Sequence, residues 1–133
     1  MAIDGLATSL SGMLAAAKRV STSASNIANQ QSLVGEAADG ALSNKPYVPQ
    51  DVVQISDEAG GVNAVLQNRN PASVQAYRPD SPLADSEGLV QEPNVDIATE
   101  LVNQTIAAYD FKANLKALKV QDELQRSVLD IVA

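Results

Sequence analysis

Residues 93–133 read PNVDIATELVNQTIAAYDFKANLKALKVQDELQRSVLDIVA, and this stretch decides the fold. Its apolar side chains recur every three or four positions over the whole length, which is the spacing of one face of an α-helix. The row consists of Val102, Ile106, Tyr109, Ala113, Ala117, Val120, Leu124, Val128 and Ile131. A second row lies beside it and consists of Leu101, Leu115, Leu118 and Leu129. The stretch therefore predicts one long helix whose apolar stripe is too wide for a single packing partner.

The start of this stretch carries residues that suit a helix N-terminus. Asn94 or Asp96 has a side-chain oxygen that can accept a hydrogen bond from the free backbone N–H groups of the first turn. Asp96 and Glu100 also place negative charge near the positive end of the helix dipole. We therefore expect the helix to begin after one of these two caps.

Residues 3–31 predict a second long helix. Its apolar row alternates spacings of three and four, which is the heptad pattern of a coiled coil. The row consists of Ile3, Leu6, Leu10, Met13, Ala17, Val20, Ala24 and Ile27. At ~1.5 Å per residue this helix would be roughly 40 Å long and the C-terminal helix about 55 Å. We expect the two helices to pack on each other, most simply as an antiparallel, coiled-coil-like pair.

Gly5 and Gly12 lie off this apolar row. Two interpretations are open. The glycines mark the close approach of a neighbouring chain, or they only lower the helix propensity, at a cost of up to ~1 kcal/mol each. A helix this rich in Ser, Gly and Thr is marginal in isolation, so we expect it to be ordered only when packed.

The middle of the chain predicts loops and short strands. Residues 35–46 have the composition of a loop. YVPQDVVQI and VNAVL flank Gly60–Gly61 and predict a hairpin, whose first strand is an edge strand or begins after Pro49. Residues 74–77 predict a third short strand, and residues 79–93 predict an extended, turn-rich connection. The predicted fold is mainly α, with an N-terminal helical segment 1–34, a middle segment 35–92 and a C-terminal helical segment 93–133.

Cysteine and histidine are both absent from the 133 residues. This excludes thiol nucleophiles, disulfides, cysteine-based zinc sites and a histidine general base. Aromatic residues make up only 3% of the chain, so burial depends on alanine, leucine and valine. Cores of such small side chains suit closely packed helices.

The net charge of −7 is concentrated in the middle of the chain. Residues 35–92 carry nine acidic and three basic residues, a formal charge of −6. Since no cluster of Lys and Arg is present, we expect neither nucleic-acid binding nor attraction to anionic membranes. No apolar run approaches the length of a transmembrane helix, which predicts no membrane insertion. The N-terminus MAIDGLATS also lacks the pattern of a cleavable secretory signal.

Acidic residues are the remaining candidates for chemistry. Asp80, Asp85 and Glu87 are close in sequence, but loop carboxylates usually serve solvation, and DSEG is too short for a calcium loop. Gly60–Gly61 lacks the lysine and the following helix of a phosphate-binding loop. We therefore expect no enzymatic activity, no metal and no cofactor. A soluble coiled-coil adaptor is an alternative that these patterns leave open.

Two motifs resemble the flagellar rod and hook family of axial proteins. SASNIAN, at residues 23–29, carries the Asn-Leu/Ile-Ala-Asn signature of that family. SPLADSEGLVQEPNVD, at residues 81–96, is similar to the pattern of FlgC-type proximal-rod proteins. The matching positions are Asn26, Ile27, Ala28, Asn29, Leu83, Ala84, Asp85, Gly88, Val90, Pro93, Asn94, Val95, Asp96, Glu100, Leu101, Val102, Ala113 and Asn114. A different rod-like axial subunit remains an alternative, because Leu89 and Tyr109–Phe111 depart from the family pattern.

The resemblance implies a structural subunit of the basal-body rod in the bacterial periplasm. Such proteins pass through the flagellar type III export apparatus without a cleavable signal and polymerise into a hollow shaft that transmits torque. The implied partners are further copies of the chain, other proximal and distal rod proteins, and the rod-base adaptor at the MS-ring junction. The resemblance implies no cofactor.

The resemblance also suggests roles for individual side chains. Asn26 and Asn29 are three residues apart and off the apolar row, so we expect both on one outer face, where they would set the register between subunits. Asn114 also lies off its row. We expect the following side chains to provide helix packing: Leu6, Leu10, Met13, Val20, Ile27, Val102, Ile106, Tyr109, Val120, Leu124 and Val128.

Overall fold

The computed structural model describes residues 2–33, 47–58 and 60–132. In chain order its elements are helix α1 (Ala2–Asn29), strands β1 (Gln50–Ser56), β2 (Val62–Asn68), β3 (Ser73–Tyr77) and β4 (Leu89–Pro93), and helix α2 (Ile97–Val132). The prediction of two long terminal helices with a small β region between them is confirmed. The loop predicted for residues 35–46 lies outside the described residues.

Helix α2 begins where its capping residue predicts. The Asp96 carboxylate accepts hydrogen bonds from the backbone N–H groups of Ala98 (3.3 Å) and Thr99 (3.2 Å). Asp96, and not Asn94, is therefore the cap. The Thr99 hydroxyl, together with these N–H groups, lowers the pKa of Asp96 because all of them stabilise the carboxylate.

This capping predicts a specific response to acid. Because the pKa of Asp96 is lower in the folded chain than in the unfolded chain, its stabilising contribution is present above the unfolded pKa and is lost as the pH falls through the folded pKa. We expect Asp96→Asn, which caps without titrating, to lose less stability than the parent protein between pH 7 and about pH 3. Urea unfolding followed by circular dichroism at several pH values measures this. Parallel losses in both proteins would show that Asp96 is not the titrating cap.

The helices meet along a face of small and polar side chains. In α1 this face includes Ser9, Ala16 and Ser23, all buried, and in α2 it includes Ala107, which is completely buried. At ~100° per residue, these α1 positions are rotated by roughly a quarter of a turn from the predicted heptad row. The two helices pack on each other as expected, but their contact is centred on these small side chains and not on the predicted apolar rows. Small side chains allow two helix backbones to approach closely, and the bulky rows remain outside the contact.

The helix glycines lie at this contact. A Cβ atom on Gly5 would be 2.4 Å from Oε1 of Gln121, and one on Gly12 would be 2.6 Å from Oδ1 of Asn114. Both glycines make room for an amide side chain of α2. The sequence analysis considered the close approach of a neighbouring chain, whereas the helix that approaches both glycines here is α2 of the same chain.

Two antiparallel hairpins lie between the helices in sequence. In the first, β1 pairs with β2, with Val53 opposite Val65, and Gly60 and Gly61 take positive φ angles of 89° and 102° at the turn. This is the predicted hairpin, and its first strand begins directly after Pro49. In the second, β3 pairs with β4. The connection predicted for residues 79–93 has turns in its first part, and its extended C-terminal end forms strand β4. The sequence did not predict this strand, because five residues are too few to show a period.

The first hairpin packs on α1. At its tip, the Ser11 hydroxyl accepts a hydrogen bond from the backbone N–H of Val62 (3.1 Å) and donates one to the Thr8 carbonyl (2.8 Å). A Cβ atom on Gly61 would be 2.3 Å from the Ser11 hydroxyl oxygen, so only glycine fits there. The hairpin thus covers a second face of α1.

The apolar rows are left at the surface. Leu10 and Leu14 of α1 are at least half exposed, and so are Val102, Tyr109, Leu124 and Val128 of α2. Neither helix, over its described residues, has an apolar segment of the length and hydropathy needed to cross a bilayer.

Candidate functional site

Asn26 of α1 and Glu100 of α2, two of the family-matching residues, meet in a cluster whose centre is buried. We call this cluster the polar junction and define it as Asn26, Gln50, Asp51, Arg69 and Glu100. It joins the C-terminal end of α1, the open end of the first hairpin and the first turn of α2. Residues 74 positions apart in sequence therefore contact each other directly.

Asn26 is the centre of the polar junction. Its amide NH₂ donates to the Gln50 carbonyl (2.9 Å) and to Oε1 of Glu100 (3.0 Å). Its amide oxygen accepts from the Gln50 backbone N–H (3.1 Å) and from the Tyr47 hydroxyl (2.8 Å). The side chain is 1% exposed. Only an amide has the two donors and the acceptor in this geometry, so asparagine is specified here by its hydrogen bonds.

Glu100 and Arg69 form the charged part of the junction. The Glu100 side chain is 3% exposed, and its Oε1 accepts from Nη2 of Arg69 at 2.9 Å. The same guanidinium makes a 2.5 Å ion pair with Asp51 and donates to the Asn94 carbonyl at 2.8 Å. Asp51, followed by Glu100, raises the pKa of Arg69 against the opposing effect of burial. Arg69 therefore stays charged and balances the buried Glu100 carboxylate.

The backbone adds further contacts around the junction. The Ser23 hydroxyl donates to the Glu100 carbonyl (2.9 Å), which ties α1 to the first turn of α2. The Asn94 amide donates to the Pro71 carbonyl (3.1 Å), and the Asn94 N–H donates to the Ala72 carbonyl (3.0 Å). Pro93 is buried and Val95 is half-buried beside them. The motif PNVD thus connects β4 to α2 and holds that connection against the start of β3.

The other half of the second motif forms a turn between β3 and β4. The Asp85 carboxylate accepts from the backbone N–H groups of Glu87 and Leu89, both at 2.9 Å. Gly88 has a φ of 77°, and a Cβ atom there would be 2.9 Å from the Tyr77 ring. Leu83 and Ala84 are half-buried in the same turn. Asp85 and Gly88 therefore set the shape of this hairpin, and the Asp85 carboxylate accepts backbone hydrogen bonds.

The remaining motif residues are separated from this cluster. Asn29 ends α1 and donates to the Ser25 carbonyl (2.8 Å), and Asn114 beside Gly12 donates to the Asp110 carbonyl (2.8 Å). Ile27 is half-buried, while Ala28 and Ala113 are exposed. The expectation that Asn26 shares an outer face with Asn29 is wrong, because Asn26 is enclosed by α2 and β1.

Sequence reasoning missed four members of this region: Tyr47, Gln50, Asp51 and Arg69. Gln50 contributes mainly backbone atoms, which carry no side-chain signal. Arg69 is one of only three basic residues in the acidic middle segment, and that isolation was the available signal. A lone arginine among acids is a natural partner for a buried carboxylate.

The predicted packing residues lie mainly at the surface. Leu6, Met13, Val20 and Ile27 are half-buried, while Leu10, Val102, Ile106, Tyr109, Val120, Leu124 and Val128 are exposed. An apolar groove of about 990 Å³ runs along the second half of α2 and includes Val120, Leu124 and Val128. Large contiguous apolar surfaces of this kind mark protein contacts.

The geometry suits a structural element. Among the described residues, no group of acids is arranged to hold a metal ion. Arg69 is bound on three sides, by Asp51, Glu100 and the Asn94 carbonyl, so its guanidinium is committed to holding the fold. The junction thus fixes the first hairpin to the helix pair.

Comparison with known proteins identifies close similarities over nearly the whole chain. The flagellar basal-body rod protein FlgC of Salmonella typhimurium is 34% identical over 128 residues, covering 91% of this chain and 90% of that protein. FlgC of Yersinia enterocolitica is 35% identical over 127 residues, and FlgC of Aquifex aeolicus is 34% identical over 124, each with the same coverage. A family profile described as "Flagellar basal body rod FlgEFG protein C-terminal" matches residues 86–131.

Proposed function

The chain belongs to the FlgC family of flagellar basal-body rod proteins, and on this premise we propose that it polymerises through its exposed apolar helix faces. As a member of this family it is a structural subunit of the rod, not an enzyme, and its place is the flagellar basal body. The way in which it assembles is the proposal.

The observation that carries the proposal is the exposure of the apolar rows. Leu124 is 61% exposed and lies on a surface that extends along α2 through Val102, Ile106, Tyr109, Val120 and Val128. At about 25 cal/mol per Å² of buried apolar area, covering such a surface supplies a substantial driving force for association. Polar contacts hold the chain together internally, while its bulky apolar side chains remain available for neighbours.

We propose an antiparallel, coiled-coil-like arrangement for the helix pair within each subunit. The proximity of Gly5 to Gln121, of Gly12 to Asn114 and of Arg19 to Asp110 supports opposite helix directions. Segments 1–34 and 93–133 would then form the rod core, and segment 35–92 would cover one side of it. The motif residues would act within the subunit at the polar junction and at the β3–β4 turn, where they hold these segments together.

We further propose the partners expected of such a subunit. They are additional copies of the chain, other proximal and distal rod proteins, and the rod-base adaptor at the MS-ring junction. We propose delivery through the flagellar export apparatus and torque transmission after assembly. The two helices of one chain meet through small and polar side chains, and the chain has no disulfide. Few covalent or apolar contacts therefore oppose its passage through the export apparatus in an unfolded state.

Leu124→Asp tests the proposed assembly surface. We expect a carboxylate in this exposed row to leave the folded subunit intact and to abolish rod assembly, because its burial between subunits would be uncompensated. In a deletion strain supplied with the variant, motility should be lost while the exported protein is still found outside the cell. Thr105→Asp, at an exposed polar position of the same helix, is the matched control and should support swimming.

The result that would contradict this proposal is a motile strain whose complete rods contain the Leu124→Asp subunit. A discrete, soluble helical dimer of the parent protein that never enters basal bodies would instead support the adaptor alternative.

A further inference from the structure

A groove on the outside of the helix pair has the shape of an acceptor site. It has a volume of about 400 Å³, and its floor consists of the small side chains Ala16, Ala17, Ser21 and Ala108 beside Val20 and Phe111. Such a floor leaves space for large side chains from elsewhere. Lys112 lies at the edge of this groove.

The end of α2 has the complementary properties. Residue Gln121 lies beside Gly5, close to the start of α1, so the last turns of α2 extend past most of that helix. They carry Leu129 at 69% and Ile131 at 81% exposure, the latter being the most exposed large apolar side chain described. We call residues 122–132 the docking segment.

The two surfaces also carry charges of opposite sign. The docking segment has three acidic residues and one basic residue, a formal charge of −2. Its only described ion pair joins Arg126 to Asp122 (2.9 Å), so Asp130 has no ion-pair partner among the described residues. Lys112 likewise has no such partner there, and its ammonium lies 5.7 Å from the centre of the Tyr109 ring. The docking segment is therefore acidic and carries large apolar side chains, whereas the groove has a lysine at its edge and a floor of small residues.

We propose that the docking segment of one subunit binds the groove of a second copy, with Asp130 of the first subunit placed near Lys112 of the second. This inference rests on the proposed assembly function and specifies its geometry. The two surfaces are different and lie 18 residues apart along α2, which corresponds to about 27 Å. A reciprocal pair of such contacts would close a dimer, so we specify the heterologous form, in which each subunit uses its docking segment on one neighbour and its groove on another, as a repeating assembly requires.

Cysteine cross-linking tests this geometry in assembled rods, because the chain has no cysteine of its own. We expect the double variant Lys112→Cys/Asp130→Cys to form a ladder of dimers, trimers and larger species under mild oxidation. Either single variant should remain monomeric. Within one chain the two cysteines are about 27 Å apart, far beyond the reach of a disulfide, so every cross-link joins two subunits. Ser86→Cys/Asp130→Cys is the matched control and should give no ladder.

The outcomes separate this inference from the assembly function itself. Rods that assemble and support swimming but give no ladder would overturn the docking geometry and leave the rod function standing. Double-variant cross-links that stop at the dimer would show a closed, reciprocal contact, and dimers from a single-cysteine variant would show that the same residue of two copies meets. Cross-links to another rod protein would show a different occupant. Each of these results overturns the inference. If the double-cysteine variant fails to assemble, the charge exchange Lys112→Asp/Asp130→Lys replaces it as the test. We expect each single change to reduce motility at least tenfold and the double exchange to restore it. A double exchange that does not restore motility refutes the pairing.

Discussion

Replacing Glu100 by alanine is expected to destabilise the folded subunit by about 3 kcal/mol, which is a large part of the 5–15 kcal/mol typical of a domain. The carboxylate is almost completely buried and accepts hydrogen bonds from Asn26 and Arg69. Its removal leaves the Asn26 amide with an unpaired donor and takes one partner from a partly buried guanidinium. Because Arg69 keeps its contact with Asp51, the expected loss is at the lower end of the range for broken buried ion pairs.

Urea unfolding of the purified subunit, followed by circular dichroism, measures this loss. Glu100→Gln is the matched control, since it keeps the size and one acceptor oxygen while removing the charge. We expect Glu100→Gln to lose less stability than Glu100→Ala. The difference between the two losses measures the contribution of the hydrogen bonds separately from that of the ion pair. A Glu100→Ala protein as stable as the parent would show that the polar junction does not hold the helix pair.

Replacing Gly12 by leucine is expected to have the second large effect. Even a Cβ atom at this position would be 2.6 Å from the Asn114 amide oxygen, so a leucine side chain has to push α1 away from α2. Overpacking of this kind costs typically 1–3 kcal/mol, which outweighs the ~1 kcal/mol gained by removing a helix glycine. We expect reduced stability and, because both helices carry the exposed rows, loss of assembly.

Ala7→Leu is the matched control for this substitution, because Ala7 is exposed on the same helix. It should leave the stability close to that of the parent protein. The double variant Gly12→Ala/Asn114→Gly adds volume on α1 and removes it from the facing position on α2. Its loss of unfolding free energy should be smaller than the sum of the losses of the two single variants. Strict additivity would show that Gly12 and Asn114 are not in contact.

The helices, the first hairpin and the helix cap could be predicted from sequence for local reasons. Long apolar periodicity identifies a helix regardless of what covers it, and Gly60–Gly61 between two β-rich runs identifies a hairpin. Asp96 caps α2 through contacts with residues two and three positions away. Strand β4 was not predicted, since its pairing with β3 depends on residues more than ten positions away.

The candidate site was predicted in part. The family-matching residues included Asn26 and Glu100, which meet at the polar junction. They also included Asn94, whose backbone carbonyl accepts a hydrogen bond from Arg69 of the junction. Sequence placed Asn26 on an outer face because it lies off the apolar row. That inference assumed that the most apolar face of a helix is the one buried within its own chain.

The sequence by itself determined where this chain forms helices and turns, because these depend on backbone propensity, caps and periodic side chains within a few residues. Only the tertiary structure decided which helix faces meet. A subunit that assembles has two kinds of interface, and apolar periodicity alone cannot separate them. Here Gly5, Gly12 and Ala107 allow close approach inside the subunit, and Arg69 balances a buried carboxylate contributed by a distant segment. The bulky apolar rows remain outside the contacts that the described residues make, where a neighbouring subunit can cover them.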